Sequence, residues 1–257
     1  MRDNPVRHRL DAGEVVLGTM VTEFATSAVA RLTAAAGAEF TLFDLEHSGY
    51  GIDRMGTVLA AARSADTVPF LRVPDAHYDL IARGLDIGAL GVMVPTVESA
   101  EEARLIASAA RFPPVGRRGF GLLLRDEWEL GGVPATLEKA NAETIVLVQI
   151  ETAAGLGSVE EIAAVDGIDV LWIGHFDLTA SLGIPGDFSN RRYHEAVDRI
   201  LAAGAGAGKP VGMVCGSPAE GRTLVERGFR ILAYSIDVIL YEGAVRAGLD
   251  KLRTLLA

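Results

Sequence analysis

The chain has 257 residues, 49% of them hydrophobic and 23% charged, which is the composition of a globular protein and not of a disordered one. At this length a compact chain buries roughly 70–75% of its unfolded surface and needs no staples to hold a core. Its 24 Lys and Arg stand against 34 Asp and Glu, a net charge of −10, which works against a nonspecific nucleic-acid surface but leaves room for a local site that takes a small anion. A single cysteine, Cys215, excludes an intramolecular disulfide framework and a four-cysteine zinc site, and fits a reducing, cytoplasmic compartment. The first ten residues carry charge without an apolar stretch, so no signal peptide is expected. No apolar run approaches the ~18 residues of a membrane span.

One rhythm repeats along the chain: a short β-rich run, a polar or glycine-containing loop, then a longer Ala/Leu-rich stretch with helical spacing. Strands are expected near Val15–Val21, Phe40–Asp44, Val68–Val73, Gly91–Pro95, Ile145–Ile150, Val170–Ile173, Val211–Val214 and Ile231–Tyr234. The unbroken apolar run Ile145-Val146-Leu147-Val148 suits a strand covered on both faces. Between the strands, Ser99–Glu102, Ser158–Glu161 and Ser217–Glu220 have the spacing of capping boxes, the last with Pro218 at the first helical position. Eight β/α units in this length point to a single-domain (β/α)8 TIM barrel spanning 1–257, with a doubly wound open sheet as the alternative. The least regular stretch is Arg111–Pro134, long enough for a functional loop.

In such a barrel the groups that follow the strands' C-terminal ends share one mouth. The second strand runs into Asp44-Leu45-Glu46-His47, the third ends at Arg72, the fifth at Gln149-Ile150-Glu151 and the sixth at Gly174-His175-Phe176-Asp177. Glu151 and Asp177 are one β/α unit apart, so their carboxylates should lie on adjacent strand ends. They read either as two hard ligands for Mg2+ or Mn2+, with waters completing the shell, or as ordinary strand-end acids in caps and salt bridges. His47 beside Asp44 reads as a general base oriented by a carboxylate, or as a structural hydrogen-bonded imidazole. Arg72 either clamps the oxygens of an α-keto acid and its enolate, or pairs with an acid such as Glu46.

The three lysines, Lys139, Lys209 and Lys251, all lie away from strand C-terminal ends, so no Schiff-base lysine is expected and a carbanion here would need a divalent cation as its sink. The glycine-rich stretch Gly204–Pro210 lacks P-loop spacing and reads as a helix end turning into a strand. His8, His77 and His194 read as surface or structural residues, and Cys215 as a small buried apolar one.

Taken together, Asp44-Leu45-Glu46-His47, Phe70-Leu71-Arg72-Val73-Pro74, Arg111–Gly119, Val148–Thr152 and Ile173–Thr179, in this order, resemble the HpcH/HpaI aldolase family, the metal-dependent class II pyruvate aldolases. The resemblance covers nearly the whole chain. It implies a (β/α)8 barrel assembled as a homo-oligomer, a hexamer, with the C-terminal helix exchanged between neighbours. It further implies that Glu151 and Asp177 bind the metal (Mg2+, Mn2+ or Co2+) and that Arg72 contacts the keto oxygen and enolate. His47, paired with Asp44, would belong to the acid/base relay, with Asp86 contributed across a subunit interface. Gln149 and the backbone of Gly174, His175 and Phe176 would bind the substrate. The chain departs from the family at His175-Phe176, where Pro-Ala or Pro-Ser is common, and in the loop Gly121–Trp128. The implied activity is reversible cleavage of a 4-hydroxy-2-oxo acid, such as a 2-keto-3-deoxy sugar acid, to pyruvate and an aldehyde, with no nucleic-acid or membrane partner. A citrate-lyase-type acyl-CoA lyase and a noncatalytic keto-acid-binding barrel are the alternatives.

Overall fold

A computed structural model describes residues 3–121 and 132–257, and shows eight parallel strands closed into a barrel in chain order. The strands are β1 (Val16–Val21), β2 (Phe40–Asp44), β3 (Val68–Arg72), β4 (Gly91–Val94), β5 (Ile145–Ile150), β6 (Val170–Ile173), β7 (Val211–Cys215) and β8 (Ile231–Ile236). Each pairs with the next, and β8 returns to β1. All eight expected strands form, three with the expected bounds and five with one end displaced by one or two residues. The helices are α1 (Pro5–Asp11), α2 (Val29–Ala35), α3 (Ile52–Ala62), α4 (Tyr78–Asp86), α5 (Ala100–Ala110), α6 (Val133–Glu143), α7 (Ala153–Gly157), α8 (Val159–Ala163), α9 (His175–Ser181), α10 (Arg191–Gly206), α11 (Pro218–Arg227) and α12 (Asp237–Leu256). No helix among the described residues is long and apolar enough to cross a membrane.

Alternation along the strands divides the apolar residues into two cores. Val16, Phe40, Val68, Ile145, Val170 and Ile231 fill the barrel interior, with Leu42, Phe70, Leu147, Trp172 and Ala233 one step further up. Phe43, Leu71, Val92, Val146, Val148 and Leu171 face outward and pack against α-helical residues such as Leu59, Ile81, Ile106, Ile162 and Ile200. Phe40 and Phe70 stack at 5.1 Å inside the barrel, and the interior takes two such rings because their strand neighbours are glycines. A Cβ on Gly18 would overlap the Phe40 carbonyl oxygen and ring, and one on Gly91 would overlap the Phe70 ring.

The N-terminal end of the barrel is sealed by α1, whose Val6 and Leu10 join the interior core. Asn4 caps that helix, and its own N–H and amide donate to Glu143 Oε2, the Glu143 carbonyl and the Leu90 carbonyl. Asp169 bridges Arg7 at 2.5 Å and Arg111 at 2.6 Å across the same end. Lys209 lies here too, donating to the Val165 carbonyl at 2.5 Å.

At two of the three expected capping boxes the serine cap forms: the Ser99 and Ser217 side chains accept from the N–H groups of Glu102 and Glu220, while the Glu102 and Glu220 carboxylates accept from Glu98 and Gly216, one residue before each cap. At the third it does not. Ser158 ends α7 before it starts α8, and with φ −107° and ψ 11° it makes no side-chain cap, because an Ncap residue needs the extended backbone that Ser99 and Ser217 have. The glycine-rich stretch ends α10 as expected, with Gly208 at φ +67°.

α12 leaves β8 under a tight constraint. Asp237 accepts from the N–H groups of Thr22, Glu23 and Phe24 and from the Thr22 hydroxyl, which ties the start of the helix to the end of β1. Beyond that point α12 buries none of its residues. Two outward-facing residues of the flanking strands are correspondingly exposed, Leu17 of β1 at 52% and Tyr234 of β8 at 41%.

Gly18→Ala should overpack the barrel interior and cost about 1–3 kcal/mol of stability, read as a lower urea midpoint at unchanged slope; an unchanged midpoint would show that the Phe40 strand yields freely.

Candidate active site

The alternation that fills the interior also builds its polar top. Two residues beyond Leu42 comes Asp44, two beyond Phe70 comes Arg72, two and four beyond Leu147 come Gln149 and Glu151, and two beyond Trp172 comes Gly174. The register sets Asp44 directly opposite Arg72 on β2 and β3. Asp44 and Arg72 are both buried, and the guanidinium holds the carboxylate with two bonds, Nε to Oδ1 at 2.8 Å and Nη2 to Oδ2 at 2.7 Å. The third nitrogen, Nη1, lies 3.0 Å from Glu46 Oε2 as an ion pair, but without hydrogen-bond alignment, so that buried oxygen has no hydrogen-bond partner. Burial alone would lower the Arg72 pKa; the Asp44 bonds and the charges of Asp44, Glu46 and Glu151 outweigh it and hold the guanidinium above its usual value. Burial pushes the Glu46 carboxyl up, opposed by Arg72 and His47 and reinforced by Glu151 and Asp44.

Glu151 is buried at the end of β5. Its Oε1 accepts from both the N–H of Thr96, at 2.7 Å, and the Thr96 hydroxyl, at 2.9 Å. Its Oε2 accepts from the amide Nε2 of Gln149, whose own Oε1 is buried without a hydrogen-bond partner. Gly174 is obligatory beside them, since a Cβ there would overlap Glu151 Oε2 and stand 2.7 Å from Gln149 Nε2.

Above these groups opens a cleft of about 230 Å³ lined by Glu46, His47, Thr96, Glu151, Thr152, Asp177 and Ser181. Glu151 and Asp177 therefore share one cavity. Asp177 comes from the first turn of α9, and Ser181 lies one turn along the same helix.

Several expected residues sit elsewhere. The His47 ring is not paired with Asp44. Both Asp44 oxygens are taken by Arg72 and by the backbone N–H groups of Glu46, at 2.9 Å, and His47, at 3.3 Å, which leaves the buried carboxylate no capacity for an exposed ring. The acid beside that ring is Glu46, at 3.6 Å. Asp86 is far from this chain's own cleft. It ends α4, which runs back from the mouth toward the start of β4, and there it accepts from Arg118 Nε at 3.2 Å. His175 and Phe176 do not line the cleft. The His175 ring packs on Phe176 at 4.6 Å and Phe188 at 5.4 Å, and burial lowers its pKa. In the loop Gly121–Trp128, residues 122–128 lie outside the described residues. Sequence reasoning did not reach Thr96, Thr152 or Ser181. Thr96 follows the end of β4, so the strand-end rule that found the others would have reached it.

The residues fit a hard divalent cation. Three carboxylates (Asp44, Glu46 and Glu151) act on one guanidinium, Asp177 shares the cleft with Glu46 and Glu151, and the buried Glu46 Oε2 and Gln149 Oε1 are acceptors without a hydrogen-bond donor. Among the described residues no group of three or more His, Cys, Asp or Glu side chains is arranged around a single metal position. The fit is therefore to a cation that takes two protein carboxylates and keeps several waters, as Mg2+ does.

The profile of the HpcH/HpaI aldolase/citrate lyase family matches residues 20–244, and the chain belongs to that family. It is 35% identical over 251 residues, 98% of this chain and 97% of the relative, to a hydroxypyruvate/pyruvate aldolase of Roseovarius nubinhibens. It is 34% identical over 99% of its length, and 96% of the relative's, to a 4-hydroxy-2-oxovalerate aldolase of Novosphingobium aromaticivorans. Its fold superposes with a TM-score of 0.92 on the crystal structure of an HpcH/HpaI aldolase from Desulfitobacterium hafniense, with 29% identity and 96% of each chain covered.

Arg72→Ala would leave the buried Asp44 without its counter-charge and should cost about 3–5 kcal/mol of stability on top of any catalytic loss, measured by urea unfolding; a stability within 1 kcal/mol of the parent would show that the backbone N–H groups alone compensate Asp44.

Proposed function

We propose that the chain is a class II pyruvate aldolase that reversibly cleaves a 4-hydroxy-2-oxo acid to pyruvate and an aldehyde. The observation that carries the reading is the shared cleft of Glu151 and Asp177 beside the buried Asp44–Arg72–Glu46 cluster. Both curated relatives described above are aldolases by name, and one acts on a 4-hydroxy-2-oxo acid.

Glu151 and Asp177 would hold Mg2+, Mn2+ or Co2+, which when bound supplies Lewis-acid polarisation of the keto acid and a sink for enolate charge. Arg72 has five N–H donors and spends two of them on Asp44; the remaining Nη1 and Nη2 hydrogens are available to the keto oxygen, where negative charge develops. Such a donor is typically worth on the order of 3–4 kcal/mol of barrier. His47 takes the C4 hydroxyl proton, the C3–C4 bond breaks, and its electron pair stays on the three-carbon fragment as the pyruvate enolate while C4 leaves as the aldehyde carbon. Protonation at C3 releases pyruvate. Glu46, not Asp44, is the carboxylate that supports the His47 cation. Gln149 and the backbone from Gly174 through His175 and Phe176 would receive the substrate carboxylate.

The lysines support the metal route. Lys139 lies in α6, Lys251 in α12 and Lys209 at the sealed end, so none reaches the mouth to form a Schiff base. Incubation with a chelator should abolish both aldol cleavage and exchange of the pyruvate C3 protons with D2O, and Mn2+ or Mg2+ should restore them. Full activity after chelation, or a pyruvate adduct trapped by borohydride, would reject the reading.

The chain is also proposed to work as a homo-oligomer. α12 exposes Ile239, Tyr241, Val245, Leu249 and Leu252 while Leu17 of β1 and Tyr234 of β8 stay exposed, and exchange of this helix between copies would cover both surfaces. A second copy's Asp86 would then be placed near the His47 of the first. Sedimentation should give a species well above 27.1 kDa, and the double substitution Leu249→Glu and Leu252→Glu should shift it toward the monomer; a monomeric parent would overturn this part.

A further inference from the structure

Thr96 holds a backbone conformation that its residue type disfavours. Its φ is +53°, in the left-handed region where a β-branched residue is a genuine outlier. Strain of this kind persists where the surroundings over-determine it. Here the compensation is visible: in this conformation the Thr96 N–H and hydroxyl converge on one atom, Glu151 Oε1. A carboxylate oxygen offers about two lone-pair sites, so Oε1 is saturated. Oε2 has one donor, the Gln149 amide, which leaves it about one free lone-pair site, and it packs against Gly174, where a Cβ would overlap it. The two oxygens of Glu151 are thus unequal, and Thr96, itself part of the cleft wall, makes them so.

We infer that Thr96 is a positioning residue that saturates Glu151 Oε1 and so presents Oε2 alone, as a single-oxygen ligand, to the divalent cation of the cleft. The inference rests on the metal-dependent reading above. The hydroxyl's share is separable from that of the backbone, because any residue at 96 keeps the N–H while only Thr and Ser keep the hydroxyl. Its effect is also opposite in sign to that of strain. Glycine tolerates φ +53° without penalty, so Thr96→Gly should relax the fold while loosening the carboxylate.

The test uses the full chain without substrate and titrates Mn2+ by isothermal calorimetry and by the electron paramagnetic resonance signal of the free ion, with thermal unfolding of the metal-free proteins in parallel. The parent should bind Mn2+ saturably, and Asp177→Asn should remove that binding. Thr96→Val and Thr96→Gly should each weaken Mn2+ binding roughly ten-fold or more, the loss of a hydrogen bond to a charged group. Thr96→Ser should stay within about three-fold of the parent, and metal-free Thr96→Gly should unfold no earlier than the parent. If the valine variant does not fold, the glycine and serine variants decide by the same criteria. Parent-like Mn2+ affinity in the glycine variant, or a serine variant as weak as glycine, overturns the role of Thr96 while leaving the metal reading intact. A parent that binds no Mn2+ overturns both.

Discussion

One guanidinium among buried acids sets the character of this molecule. Arg72 is committed on one edge to Asp44 and shares a third nitrogen with Glu46, and its field reaches Glu151. Taking ions out of water is expensive, and a buried pair breaks even only when its geometry is good and its remaining lone pairs are satisfied. Asp44 meets that condition fully. Glu46 does not, since burial raises its pKa and Oε2 lacks an aligned donor. An acid excess beside one fixed cation is a poor way to stabilise a protein, but it is what a site needs if it is to attract a second, exchangeable positive charge and then a keto acid.

That cluster exists because the barrel closes. Along an isolated strand, Asp44, Arg72 and Glu151 would merely continue an alternation. The closed sheet turns their common face into a single small space. The lower interior is full of Phe40, Phe70, Trp172 and their neighbours, so the polar groups are supported from below by rigid packing and cannot sink into the barrel. Glycines at 18 and 91 make room for the aromatic rings, and Gly174 makes room for a carboxylate. The same residue type thus serves stability at one level and chemistry two levels higher.

The barrel was legible because buried parallel strands read as short apolar runs, and the strand-end rule followed from it: Asp44, Arg72, Gln149, Glu151 and Gly174 occupy the interior face in the expected register. What sequence could not supply was side-chain partnership. Asp44 and Glu46 both neighbour His47 in the chain, and only the three-dimensional demand of Arg72 on Asp44 decides that Glu46 faces the ring. Ser158 carries the letters of a capping box, but it closes α7 as well as opening α8 and lacks the extended backbone a side-chain cap needs. The conformation of Thr96, though not its place at a strand end, was hidden for a related reason: nothing in Val94-Pro95-Thr96-Val97 signals a positive φ, because its partner Glu151 lies 55 residues away in the chain.

The two ends of the barrel treat their polar groups differently, and that difference supports the site proposed at the mouth without appeal to any relative. At the N-terminal end Asn4 caps a helix and spends its amide on two carbonyls, while Asp169 ties Arg7 to Arg111 and also accepts from the Val146 N–H. At the other end, within one cluster, lie a buried carboxylate oxygen and a buried amide oxygen without hydrogen-bond donors and a β-branched residue with positive φ. Folding alone favours removing such features, since each leaves a polar group unpaired or a backbone strained. Proteins break such local rules at functional sites and compensate elsewhere, and that pattern favours the mouth of the barrel as the end that receives a ligand and the sealed end as the one that holds the fold.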